Sequence, residues 1–178
     1  MPRLRKLEKC QGNPQANELM NTLDSNKKLF NIFRSMANSP AVLDSYLKFS
    51  GAMGNAKLDT KAREAVALAV SQANRCEYCL SAHTAIGKGA GMDDPSIKDA
   101  RQGRSKDRKT QGAVTLARAV VEKRGNVNDQ DVKAARDAGL DDGEIAETVG
   151  TVVQTLFTNY FNHLNQTEVD FPKVAVDV

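Results

Sequence analysis

The sequence predicts an all-helical protein. Apolar residues recur at intervals of three and four along almost the whole chain, alternating apolar and polar runs are absent, and helix-start devices punctuate it. Before Ser39, the helical spacing of Leu19, Leu23, Leu29, Ile32 and Phe33 predicts one or two helices. Ser39 followed by Pro40 is an N-cap with proline at the first helical position. It opens a helix through Leu43, Tyr46, Leu47 and Phe49 that closes at Gly51 or Gly54. An apolar helix runs from Ala62 to Val70 with Asp59 or Thr60 as its cap. Asn74 with Glu77 three residues on has the form of a capping box, which puts Cys76 in the first turn of the next helix and Cys79 one turn further. Asp94 before Pro95 opens a short helix that ends near Gly103. Asp141 with Glu144 opens a long one through Ile145, Val149, Val152, Leu156 and Phe157 to about Leu164.

Two stretches repeat at an offset of 48 residues. Ala65, Val66, Leu68 and Ala69 match Ala113, Val114, Leu116 and Ala117, and Ala90-Gly91-Met92-Asp93-Asp94 with Ile97 matches Ala138-Gly139-Leu140-Asp141-Asp142 with Ile145. A constant offset across separate blocks indicates a duplicated helical unit, with Gly91 and Gly139 closing one helix and the aspartates capping the next. The copies differ in chemistry. The first carries Glu64, Cys76, Cys79 and His83 where the second has Gly112, Arg124, Val127 and Asp131.

At 178 residues the chain is long enough to bury a core as one domain. With 40% hydrophobic and 26% charged residues it has an ordinary globular composition. A net charge of +3, with 22 acids interleaved among 25 bases along the chain and Asp107 among the bases between residues 101 and 108, describes a solvated face and argues against nucleic-acid binding. No apolar run is long enough to span a bilayer, and polar residues follow the basic start, so the expectation is a cytoplasmic protein with no membrane partner. Three cysteines are too few for a secreted disulfide framework, and two of them at C-x-x-C spacing in a reducing compartment suggest redox or metal chemistry. Cys10 stands alone and is read as incidental.

Cys76, Cys79 and His83 share one helix face, since residues three and four apart are neighbours. Cys79 and His83 can exchange a proton there, and the two sulfurs can close a disulfide. A helix N-terminus favours a thiolate because its unpaired N–H groups stabilise negative charge. If the chain turns back near Asn74, Glu64 lies ten residues before the turn and His83 nine after it. At about 1.5 Å per residue both are then roughly 14 Å from the turn, and the carboxylate can orient the imidazole. That is a nucleophile activated by an oriented base. The alternatives are a zinc site of Cys76, Cys79 and His83 with Glu64, Cys10 or His163 as fourth ligand, and cysteines used only as small apolar residues.

Glu64, then Cys76-Glu77-Tyr78-Cys79, then His83, resembles the alkylhydroperoxidase D motif of the carboxymuconolactone decarboxylase superfamily. The match runs from about Ser39 to Ile97. The tail, Asn159-Tyr160-Phe161-Asn162-His163 through Val169-Asp170-Phe171-Pro172, is similar to its peroxidase-related subgroup. The resemblance implies an alkylhydroperoxidase D-like helical domain over residues 39–178, with residues 1–38 as an N-terminal helical extension and the two expected to form one compact unit. It also implies a homo-oligomer, trimer or hexamer, and a peroxidase cycle with no cofactor or metal. In that cycle Cys79 attacks peroxide and becomes a sulfenic acid, Cys76 resolves it to a disulfide, and Glu64 and His83 relay protons. The dipole argument alone would favour Cys76; His83, one turn from Cys79, favours Cys79. The family's best-known peroxidase has a histidine where Tyr78 stands. The reductant implied is a lipoyl-bearing partner or another dithiol, and a dithiol–disulfide oxidoreductase is the alternative activity. The decarboxylase branch lacks the cysteine pair, which disfavours a lactone decarboxylase. Asn159, Asn162 and His163 are accessory candidates, His163 being expected first as a capping or packing residue. Tyr46 and Phe49 are expected in the core, with the pocket wall as their alternative.

Overall fold

The computed structural model describes residues 2–177. Among them are nine α-helices and no strand: α1 (Pro14–Ser25), α2 (Asn31–Met36), α3 (Pro40–Met53), α4 (Thr60–Ala73), α5 (Glu77–Gly89), α6 (Asp94–Arg101), α7 (Arg108–Glu122), α8 (Asp129–Asp137) and α9 (Asp142–Asn165). No helix among the described residues is long and apolar enough to cross a membrane.

The caps explain most boundaries. Ser39 accepts from the Val42 N–H and starts α3, Asp59 accepts from Ala62 and starts α4, and Asp141 forms a reciprocal capping box with Glu144 at the head of α9. Two expectations are corrected. Asp93, not Asp94, caps α6, because Pro95 then falls within its first turn, where a missing N–H costs no hydrogen bond. Asn74 does not begin α5. It is the C-cap of α4, Arg75 turns the chain at φ 53°, and Cys76 itself occupies the N-cap of α5.

Helix α4 is the hub and packs on α5, α6, α7 and α9. Its run from Ala65 to Ser71 is buried on every side, with alanines admitting close neighbours and Val66, Leu68 and Val70 filling the space between them. Fully burying one such aliphatic side chain is worth about 1.5–3 kcal/mol.

The 48-residue repeat is visible in three dimensions. α4–α5–α6 is echoed by α7–α8 and the first turns of α9, with caps at Asp59 and Asp107, then at Asp93 and Asp141. Gly91 and Gly139 end the middle helix of each copy at φ 85° and 105°, a backbone region that side chains disfavour. Where the first copy carries Glu64, the second has Gly112. A Cβ there would lie 2.5 Å from the Ala138 Cβ, because α8 is pressed against α7.

One core cluster surrounds α4 and α7. A second joins α1, α2 and α3 to Cys76, Tyr78 and Cys79, so the N-terminal helices cover the cysteines. The chain after α9 folds back as well. Val174 N–H donates to Ser81 Oγ (3.1 Å), and Gln72 Nε2 donates to the Val176 carbonyl (2.6 Å).

Candidate dithiol site

Cys76 and Cys79 are free thiols, 2% and 3% exposed, with their sulfurs 2.7 Å apart. The turn at Arg75 creates this geometry. By placing Cys76 at the N-cap it lets the Cys76 sulfur accept the Cys79 N–H (3.4 Å), and Cys79 becomes the third helical residue, facing back toward it. Cys76 thus takes the place a capping serine would hold.

The two sulfurs have unequal surroundings. Cys79 also receives Asn162 Nδ2 from α9 at 3.3 Å and lies in the field of His83. The hydrogen bond from Cys76 is the largest influence on the Cys79 thiol. Together with His83, Asn162 and Asn159 it outweighs burial and brings the thiol down to about 6. Cys76 is driven well above the ordinary thiol range by that same hydrogen bond, by burial and by the charge on Cys79. One proton shared by the pair therefore resides on Cys76.

Glu64 and His83 meet between α4 and α5. His83 Nδ1 lies 2.8 Å from Glu64 Oε2, with the side chains 21% and 13% exposed. Burial acts against the charged imidazole. The charge of Glu64, its hydrogen bond and the Cys79 sulfur outweigh that, and His83 is held above its ordinary value. The structure thus brings Glu64, Cys76, Cys79 and His83 into one cluster.

Two cavities flank this cluster. One, of about 550 Å³, exposes Cys79, His83 and Asn162 to walls of Phe30, Phe33, Tyr46, Tyr78 and Phe171. The other, of about 400 Å³, is polar and contains Glu64, Arg63, Gln154 and the threonines 151, 155 and 158. His83 and Tyr46 line both. The aromatic chamber therefore meets the sulfur and the polar chamber meets the carboxylate.

The accessory candidates separate. Asn162 donates directly to Cys79, whereas Asn159, which also lowers the Cys79 thiol, accepts from Asn74 Nδ2 (3.0 Å) and donates to Ser71 Oγ (3.3 Å), bracing the α4–α5 turn. His163 is exposed, with Nε2 2.8 Å from the Asn74 carbonyl, so it caps the end of α4. Tyr78 lines the aromatic cavity, and its hydroxyl donates to Asp170 Oδ2 (2.7 Å). Tyr46 forms part of the cavity wall instead of plain core, and Phe49 is 37% exposed on the outer side of α3, a correction to its expected burial. Cys10 is exposed, and the described residues contain no group of three or more His, Cys, Asp and Glu placed to hold a metal ion.

Sequence reasoning did not find the aromatic wall from α2 and the segment before it. Phe30 and Phe33 lie more than 40 residues from the cysteines, and their spacing reads equally well as helix packing.

Fold and site define an all-helical protein with an alkylhydroperoxidase D-like fold and a buried dithiol beside a glutamate–histidine pair. Residues 40–105, which hold α3 to α6 and all four clustered side chains, match the model of the carboxymuconolactone decarboxylase family. No curated relative matches the sequence. Among solved structures, an alkylhydroperoxidase D core described as an uncharacterized peroxidase-related protein from Ralstonia eutropha JMP134 superposes with a TM-score of 0.84 at 18% identity, over 95% of this chain and 92% of the other. A peroxidase-related protein from Silicibacter sp. TM1040 gives 0.79 at 17% identity over 94% of each chain. The debrominase Bmp8, as its C82A variant in complex with 2,3,4-tribromopyrrole, gives 0.79 at 15% identity over 96% and 92%. These likenesses establish the fold.

Proposed function

We propose that the protein is a thiol-dependent peroxidase that reduces organic hydroperoxides. The Cys79 thiolate attacks the terminal peroxide oxygen, forming the S–O bond as the O–O bond breaks. The departing alkoxide takes a proton from the His83 imidazolium and leaves as the alcohol. Glu64 orients His83, and the polar chamber returns the proton from solvent. The Cys76 thiol then attacks the Cys79 sulfenic acid, water leaves, and a disulfide forms. A dithiol or lipoyl-type reductant takes up the oxidising equivalents and restores both thiols.

The observation that carries this reading is the asymmetry of the pair: the sulfur held as thiolate by Cys76, Asn162 and His83 is also the one that opens on the aromatic cavity. The walls suit an apolar R group. The test is one equivalent of cumene hydroperoxide per chain, followed by a count of free thiols. The wild-type protein is expected to lose two of its three thiols. Cys79→Ser should lose none, and Cys76→Ser should stop at a sulfenic acid that dimedone traps. Unchanged peroxide consumption by Cys79→Ser would remove the nucleophile and the proposal.

The aromatic walls favour a second reading, in which the same dithiol reduces a haloaromatic compound. Aryl bromide and two thiols would give the arene, the disulfide and hydrogen bromide. Bromide release from a bromopyrrole, set against peroxide turnover, separates the two activities.

The homo-oligomer is likewise proposed. Val149, Val153, Phe157, Tyr160 and Leu164 form an exposed apolar stripe along α9, beside Val42 and Phe49 of α3. Sedimentation velocity tests it, and a monomer at micromolar concentration would reject it.

A further inference from the structure

We infer that Asn162 is a catalytic residue of the dithiol site, its carboxamide N–H holding the Cys79 sulfur as the thiolate. The inference rests on Cys79 being the nucleophile, whichever electrophile it attacks.

The inward face of α9 is polar to an unusual degree, and most of its side chains are satisfied within the fold. Thr148, Thr151 and Thr155 donate to carbonyls one turn back in the same helix. Asn159 bonds to Ser71 and Asn74. Asn165 donates to Ser35 and Thr167 and accepts from the Leu4 N–H. Asn162 is different. It is 4% exposed, its Nδ2 donates to the Cys79 sulfur at 3.3 Å, and its Oδ1 is buried with no hydrogen-bond partner among the described residues.

A buried carboxamide with one half unsatisfied weakens a fold, and an apolar side chain of similar volume would avoid the loss. The amide therefore brings folding a cost without a matching return. Its return is at the sulfur. A carboxamide N–H does not titrate, so it keeps stabilising the thiolate at every pH, whereas His83 must give up its proton to the leaving group.

Two measurements test this on the full chain with Cys10→Ser, which leaves the buried pair untouched. The first follows alkylation of Cys79 by iodoacetamide across pH in Asn162→Leu, beside the thermal midpoint. The alkylation midpoint is expected to move upward, with a rate at least threefold lower at pH 6, while the thermal midpoint holds or rises. Asn162→Ser, which restores a short donor, should recover part of the rate. The second needs no change at Asn162: its side-chain amide resonances should shift with pH at the alkylation midpoint, and Cys79→Ser should abolish that shift. An unchanged alkylation curve in a folded Asn162→Leu protein, or an amide that does not follow the thiol, overturns the inference. Because alkylation involves no peroxide, failure to consume hydroperoxide with these results intact would count against the peroxidase reading alone.

Discussion

His83 Nδ1 stands 2.8 Å from Glu64 Oε2, although the two are 19 residues apart in the chain and on different helices. The α4–α5 turn makes this contact, and the contact couples a carboxylate facing a polar chamber to an imidazole that also faces the chamber holding Cys79.

Replacing Glu64 by Gln removes the charge that holds His83 above its ordinary value, so the His83 pKa should fall. With less imidazolium to protonate the leaving alkoxide, peroxide turnover at pH 7 should drop about 10²-fold. The lost charge-assisted hydrogen bond should cost about 1.5–3 kcal/mol of stability. Imidazole NMR titration, turnover and thermal melting check the three effects. The sign follows from the raised pKa: the His83 contribution is complete below the unfolded pKa and disappears as pH rises through the folded one, so the variant should lose more stability in acid than in alkali.

Cys79 titrates in the opposite sense. Its folded pKa of about 6 lies below the ordinary thiol value of 9.0, so its contribution to stability is full above about 9 and is lost as pH falls through 6. Alkylation followed by peptide mass spectrometry should show Cys79 reacting with a midpoint near 6, while Cys76 stays unreactive across the neutral range. Equal labelling of the two sulfurs would contradict the asymmetry.

Gly112→Ala should destabilise the protein by about 1–3 kcal/mol, the usual cost of overpacking. The new methyl group would meet Ala138 Cβ at 2.5 Å and Leu140 Cδ1 at 2.9 Å. Denaturant melts measure the loss, and the Cys79 alkylation midpoint should stay in place because the strain falls between α7 and α8.

Tyr78→Phe should cost about 0.5–1.5 kcal/mol through loss of the hydrogen bond to Asp170, which ties the C-terminal segment to α5. Peroxide turnover should stay within about twofold, since the ring keeps its place in the cavity wall and the hydroxyl is engaged by Asp170. A tenfold fall in kcat would instead give the Tyr78 hydroxyl a part in the chemistry.

Legibility in the sequence followed the range of the interactions. Ser39-Pro40 and the Asp141–Glu144 box read correctly because a cap is a contact across three residues. The repeat was readable because Gly91 and Gly139 answer a local backbone demand twice. Asn74 misled because its pattern with Glu77 satisfies a capping box on paper, whereas its half-buried amide is engaged by the Val70 carbonyl and Asn159. Cys76 could not be recognised as a cap from its neighbours, since serine and its relatives normally fill that place.

The sequence by itself determined the helical class, the duplicated unit and the set Glu64, Cys76, Cys79 and His83, because periodicity, caps and i, i+4 spacing are properties of a few consecutive residues. Only the tertiary structure decided which sulfur has the stronger donors, that Asn162 reaches it from α9, and that Phe30 and Phe33 wall the space in front of it. Those relationships join segments 40 to 85 residues apart. Chain packing alone sets such distances, and no local pattern encodes them.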